Sequence, residues 1–315
     1  MEQLEITEDF FEKTGAIITT NLIAVLGYFD GIHHGHEQLV KKAQELKLSR
    51  KEKIAAIVFE FPNDIQRMKK HQFRLMTLED KKTYFEDAGF DYFIVVELTT
   101  EIMKQTPEFF IKKLANRIAL TAVVVGFDYR FGSGGSGDVE LLEKLGVIHG
   151  FQTYIIPEQM DANLEKNSSS IIREAIENGE IEKANRQLVK QYFLRGIVVP
   201  GMQKGRLLGF PTANIADAGN YIMPQNGVYI VEIILGEKKH HGICNIGFAP
   251  TIKLDNIKVV ETNIFDFNED IYGKEIIVIF LKRLRSEMKF SGIDQLKSQI
   301  STDVATAKDF FEKSL

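Results

Sequence analysis

Past Arg195 the chain stops placing helices between its strands, and that break constrains the fold more than any other feature. Before it, residues 22–160 alternate short apolar runs with longer amphipathic ones. LIAVLG (22–27), KIAAIVF (53–59), DYFIVV (91–96), TAVVVG (121–126) and TYIIP (153–157) read as buried strands, bounded by charge or glycine. The segments His36–Leu48, Thr77–Ala88, Thr106–Ile118 and Val139–Leu145 carry helical patterns. In the third, Thr106 suits the N-cap, Pro107 suits the first turn, and Phe110, Leu114 and Ile118 share a face. Repeated β–α alternation predicts a parallel sheet with helices on both faces, and ligands beyond the carboxyl ends of its strands. Gly27 and Gly126 stand at two such ends.

Beyond the break, RGIVVPG, GVYIVEIIL, HGICNIG, KVVETNIFDF and KEIIVIFLKRL are strand-like and separated by turns, as in an antiparallel barrel or sandwich. His240 and His241 read as a polar hairpin tip. Residues 168–190 are helical and split by Gly179. The tail returns to helix, with Ile293, Leu296, Ile300, Val304, Ala307 and Phe310 on one apolar face. A length of 315 residues accommodates two domains. The expectation is an α/β N-terminal domain over 1–185 and a β-barrel domain with a terminal α-helix over 186–315, the boundary falling between 180 and 195.

A net charge of -5 argues against a general nucleic-acid binder. Lone Cys244 excludes an internal disulfide and a cysteine-rich zinc site. The acidic N-terminus has no signal-peptide core, and no apolar run nears the roughly 20 residues that span a bilayer. The expected setting is the cytoplasm, with no nucleic-acid, membrane or obligate protein partner.

Two stretches carry chemistry. In GYFDGIHHGH (27–36) a strand ends at Gly27, an acidic turn follows through Asp30, and histidines open a helix. Helix N-termini present free N–H groups and a positive dipole end, a natural phosphate seat, and Gly35 lets backbone approach a ligand. His33 and His36 are spaced to stabilise charge on a transferring phosphate. The alternatives are a surface helix with scattered histidines, or a metal-binding pair. Asp128 and Arg130 follow another strand end, within reach of ribose or phosphate. Ser169, Ser170 and Arg173 lie at a helix start, offering hydroxyls and a guanidinium to phosphate, or simply an N-cap.

In GRLLGFPTANI (205–215), Pro211 holds its neighbours extended, so Thr212 and Asn214 fall on one face. Both are hard oxygen donors suited to Mg2+ with nucleotide phosphates. Gly201, Gly205 and Gly209 allow close approach, with Lys204 or Arg206 near phosphate; an ordinary turn is the alternative. Glu261, a lone carboxylate among Val259, Val260 and Ile264, is either a cross-strand partner or a base for a primary alcohol. Arg285 is a substrate contact or a solvated strand-end charge.

The first stretch resembles the HxGH motif of nucleotidylyltransferases and, more narrowly, the FDGxHxGH signature of bacterial FMN adenylyltransferases. GFDYRFGSGGSGD (126–138) and SSSIIR (168–173) are similar to that family's other signatures, although Ser133–Ser136 replaces basic residues common there and Asn167 replaces an isoleucine. GxxxGRxLGFPTAN resembles the riboflavin kinase signature, and MPQNGVYIVEI, GICNIGFAPT, VETNIFDFNEDIYGKEI and LRSEMKFSGIDQLKSQISTD follow in the family's order. The resemblance to bifunctional bacterial riboflavin kinase/FAD synthetases covers nearly the whole chain. It implies ATP, riboflavin, FMN and FAD as substrates or products, and Mg-ATP held at Thr212 and Asn214 with Gly205, Arg206 and Gly209. It further implies Glu261 as catalytic base, Arg285 near the flavin, and His33 and His36 at the second nucleotide. A kinase joined to a weak adenylyltransferase, and a flavin sensor without turnover, stay open at this point.

Overall fold

The computed structural model describes residues 1–7, 15–62, 73–159, 167–201, 205, 209–216, 218, 221–248 and 258–313. Two compact units emerge, residues 1–72 with 76–168, and residues 73–75 with 169–315. Among the described residues no helix is long and apolar enough to cross a membrane.

The first unit holds a six-stranded parallel sheet in the order β1-β4-β3-β2-β5-β6. These strands are β1 (Glu2–Ile6), β2 (Ile18–Gly27), β3 (Lys53–Glu60), β4 (Tyr92–Glu97), β5 (Ile118–Gly126) and β6 (Gln152–Ile156). The longer helices are α1 (His34–Arg50), α2 (Leu78–Asp87), α3 (Pro107–Arg117) and α4 (Val139–His149). The central strands are buried on both faces, Leu22–Leu26 and Ile54–Phe59 without interruption, which is why they read as continuous apolar runs. Thr77 and Asp80 form a capping box that starts α2, and Thr106 caps α3 with Pro107 in its first turn. β1 was not expected. It is an edge strand pairing in parallel with β4 from Glu2↔Tyr92 to Ile6↔Val96, and only Ile6 of it is buried, so no apolar run announced it. From β2 the chain proceeds to β3 on one side, and β5 lies on the other. The order reverses there, and the carboxyl ends of β2 and β5 frame the crevice where such sheets bind ligands.

The second unit is a closed antiparallel barrel, β10-β11-β8-β7-β12-β9. Its strands are β7 (Phe193–Val199), β8 (Ala213–Ala216), β9 (Gly227–Leu235), β10 (Lys238–Phe248), β11 (Lys258–Ile264) and β12 (Glu275–Arg285). Helices α5 (Ser169–Glu177) and α6 (Ile181–Gln187) are separated at Gly179, whose φ of 74° ends the first of them. Both share the barrel's core, where Ile172, Ile176, Ile181 and Ala184 cluster with Cys244, Ile246 and Val260. The terminal helix α7 (Ile293–Lys313) packs on the outside, its Ile300, Val304, Ala307, Phe310 and Phe311 against Val228, Ile230 and Ile243. Ile293 is 67% exposed, so the apolar face begins a turn later than its sequence pattern implies. His240 and His241 are not a hairpin tip. The turn is at Gly236, and the two rings lie within β10, His241 stacked on Phe311 at 3.7 Å and His240 edge-on to Phe267.

Candidate active sites

In the first unit the loop leaving β2 is anchored by a buried aromatic ring. Phe29 adopts φ 49°, unfavourable for a bulky residue, with its ring fully buried against Phe85 at 5.0 Å and His36 at 5.1 Å. A Cβ at Gly27 would press that ring at 3.1 Å, and one at Gly35 would press the His33 ring at 3.0 Å. His33 is the N-cap of α1, its Nδ1 accepting from the His36 N–H at 3.3 Å. Nδ1 of His36 lies 3.2 Å from the Gly31 carbonyl, to which only a protonated nitrogen can donate. The two rings stack with centroids 3.8 Å apart. These bonds fix the neutral tautomers: His33 carries its proton on Nε2, and His36 keeps a lone pair there.

Burial and the neighbouring His36 push His33 down to about 2, opposed by the Asp128 carboxylate. Burial pushes His36 to about 4, against the Gly31 hydrogen bond and with help from the Lys81 ammonium. Asp128 therefore shares the field of His33. Arg130 is exposed and pairs with Asp138 at 3.5 Å, and Asp138 in turn caps α4. Asp30 is half-buried in the same turn. Sequence reasoning missed Lys81, which is 3% exposed and ion-paired with Glu60 at the carboxyl end of β3. It also missed the aromatic group there, in which half-exposed Tyr28 stacks on Phe61 at 5.8 Å and tilts against Phe59 at 5.9 Å. Only the position of Glu60 at a strand end, and of Lys81 on the helix that follows, could have signalled that pair.

Ser169, Ser170 and Arg173 open α5 in the second unit, where the Arg173 guanidinium donates to the Phe73 carbonyl at 2.7 Å.

On the barrel, in-register pairing builds a polar row across three strands. Glu261 of β11 stands opposite Asn214 of β8 on one side and Asn245 of β10 on the other. The alternate residues Ala213, Ile215, Val260, Cys244 and Ile246 fill the barrel core, so the row lies on the outer wall. It opens into a cavity of about 370 Å³ lined also by Gly205, Thr212, Arg285, Leu296, Ile300 and Asp303. Thr212 borders a second cavity of about 320 Å³ under the Phe267–Tyr272 loop, and so is common to both. The Pro211 carbonyl accepts from Asn263 Nδ2 at 2.7 Å, fixing the extended run that brings Thr212 and Asn214 to one face. The Phe210 N–H bonds the Gly205 carbonyl at 2.9 Å, holding these two residues together, and Gly209 has φ 87°. Arg206 and Lys204 lie outside the described residues.

Thr212 and Asn214 supply a hydroxyl and a carbonyl oxygen on one cavity wall, a donor set that fits Mg2+ shared with phosphates. Among the described residues no group of His, Cys, Asp and Glu is placed to hold a metal by itself. Burial pushes the Cys244 thiol up to about 12, which makes it a core group rather than a nucleophile.

Residues 17–171 match the FAD synthetase family and residues 188–311 match the riboflavin kinase family. The bifunctional riboflavin kinase/FMN adenylyltransferase of Bacillus subtilis is 35% identical over 92% of both chains. The chain belongs to the bifunctional riboflavin kinase/FMN adenylyltransferase family. Its Escherichia coli relative of the same name is 34% identical over 92% of each chain. A solved structure named as a macrolide-efflux protein from Streptococcus pneumoniae is 28% identical, with a TM-score of 0.86 over 98% of this chain and 99% of that one. In this family frame the α/β unit carries the FAD synthetase match and the barrel the riboflavin kinase match, each on its own candidate site.

Proposed function

We propose that the chain makes FAD from riboflavin in two ATP-dependent steps, each at its own site. The observation that carries this reading is Glu261 set between Asn214 and Asn245 on the wall of a cavity, beside Thr212. In the first step the riboflavin primary hydroxyl attacks the γ-phosphorus of ATP, giving FMN and ADP. Glu261 accepts the hydroxyl proton as the new O–P bond forms. Thr212 and Asn214 would hold Mg2+, which supplies charge neutralisation at the transferring group. Thr212 borders both cavities, which supports a reading in which flavin and ATP enter from the two sides and the γ-phosphate meets the hydroxyl at their common wall.

In the second step a phosphate oxygen of FMN attacks the α-phosphorus of ATP and pyrophosphate leaves. The nucleophile is already anionic, so no base is required. His33 donates from Nε2 to the α-phosphate oxygens while neutral. His36 donates from its own Nε2 only after taking up a proton, which the charge of the bound triphosphate favours. Gly27, Asp30, Gly35, Asp128 and Arg130 shape the nucleotide seat, and Tyr28 with Phe61 offers a stacking face for the flavin ring. Adenylyl transfer is assigned to residues 1–185 and the kinase to 186–315, both in the cytoplasm where ATP is at hand.

Two variants separate the sites. His36→Ala lowers pyrophosphate release from FMN and ATP by about two to three orders of magnitude and leaves riboflavin-dependent ADP release intact. Glu261→Gln does the reverse, by about two to four orders, while riboflavin still binds. Loss of both activities in either folded variant sinks the division into two sites.

A further inference from the structure

Beside Glu261 the kinase cavity holds a charge arrangement that phosphoryl transfer does not itself require. Arg285 ends β12, and its Nε donates to both carboxylate oxygens of Asp303 at 3.0 and 3.1 Å. Its Nη2 donates to Asp303 Oδ2 at 2.7 Å, and its Nη1 to the Ser286 carbonyl at 2.9 Å. Asp303 comes from α7 with its side chain 6% exposed, and Gln299 Nε2 donates to its Oδ1 at 2.9 Å. The guanidinium is thus gripped by a buried carboxylate fork, and its charge is cancelled where it stands. Held this way, it keeps N–H donors for a neutral carbonyl or hydroxyl but exerts little net pull on a phosphate. Both residues line the same cavity as Glu261, so a ligand that fills it feels the charge of the pair.

We propose that Asp303 is a specificity-determining residue: by neutralising Arg285 it favours an uncharged flavin alcohol over the phosphorylated flavin product. The proposal rests on the kinase reading above. Substrate and product share every atom of the ring system and differ by one phosphate. An Arg285 freed from Asp303 would retain the product through that phosphate, and the pairing prevents this.

The test is the ratio of the FMN inhibition constant to the riboflavin KM in initial rates of ADP release. That assay is blind to adenylyl transfer, which releases pyrophosphate. In Asp303→Asn the guanidinium keeps a net charge, and the ratio falls by about three- to tenfold. In Arg285→Gln the carboxylate is left unneutralised, and the ratio rises by about the same factor. Combining both substitutions returns the ratio to near the wild-type value, because each acts through the other. Thermal midpoints report on folding, and if Asp303→Asn does not fold, the rise in Arg285→Gln decides alone. A merely structural clamp would shift both constants without this opposition of sign. The proposal is overturned if the ratio moves the same way in both variants or in neither. Wild-type protein that releases no ADP with riboflavin overturns the kinase reading instead.

Discussion

His36 carries its proton on the nitrogen facing Gly31, and that bond decides both what the ring does and what it costs to keep it there. Burial lowers its pKa from 6.5 to about 4, and His33 beside it from 6.5 to about 2. Between pH 6.5 and about 4 the unfolded chain therefore binds protons that folded His36 does not. Stability is fully present above pH 6.5 and falls as the pH drops through that window. Urea midpoints measured across it decline in the wild type, and His36→Asn flattens the decline. An identical slope in the variant would mean that His36 is not held neutral by the fold. The placement of these histidines was legible because one short run puts both around a helix start, after a strand and a glycine. Lys81 was not legible: its partner Glu60 lies on another element, and a lysine on a helix ordinarily faces solvent. The polar row around Glu261 was likewise not legible, because Asn245 and Asn214 arrive from far along the chain.

Among the elements, strand register performs the assembly of the kinase site. β8 is four residues long, yet its pairing with β11 sets Asn214 against Glu261. The approach of the preceding loop is what Gly201 permits, since a Cβ there would stand 2.1 Å from Asn214 Nδ2. Gly201→Ala must therefore displace Asn214, and kinase turnover falls by about a hundredfold, as ångström-scale misplacement does. FMN adenylylation is unchanged in the same preparation. Unaltered ADP release from this variant would show that Asn214 has no part in holding the nucleotide. The buried strands of the sheet were legible from their apolar runs, and most barrel strands as strand-like runs separated by turns with no helices between them. β1 was not, because an exposed edge strand needs no apolar pattern. The terminal helix was legible as amphipathic, but its contribution of Asp303 to a cavity wall was not, since that depends on where the helix docks.

At the scale of the whole chain, the break after Arg195 separates two ways of building a candidate ligand site. In the parallel sheet the site follows from topology, at the reversal between β2 and β5, with a helix N-terminus beside it. On the closed barrel the candidate site is instead an outward-facing polar row, with Leu296, Ile300 and Asp303 of α7 on the same cavity wall. The two designs draw on different residues, so each activity is expected to survive loss of the other, with FMN as the compound common to both. One chain is expected to perform both steps in succession. Product analysis after incubation with riboflavin, ATP and Mg2+ tests it most directly. ADP and pyrophosphate should appear in equal amounts once FAD is the end product, with FMN rising first and then declining. FMN accumulating without pyrophosphate, or riboflavin remaining unconverted, would contradict the account.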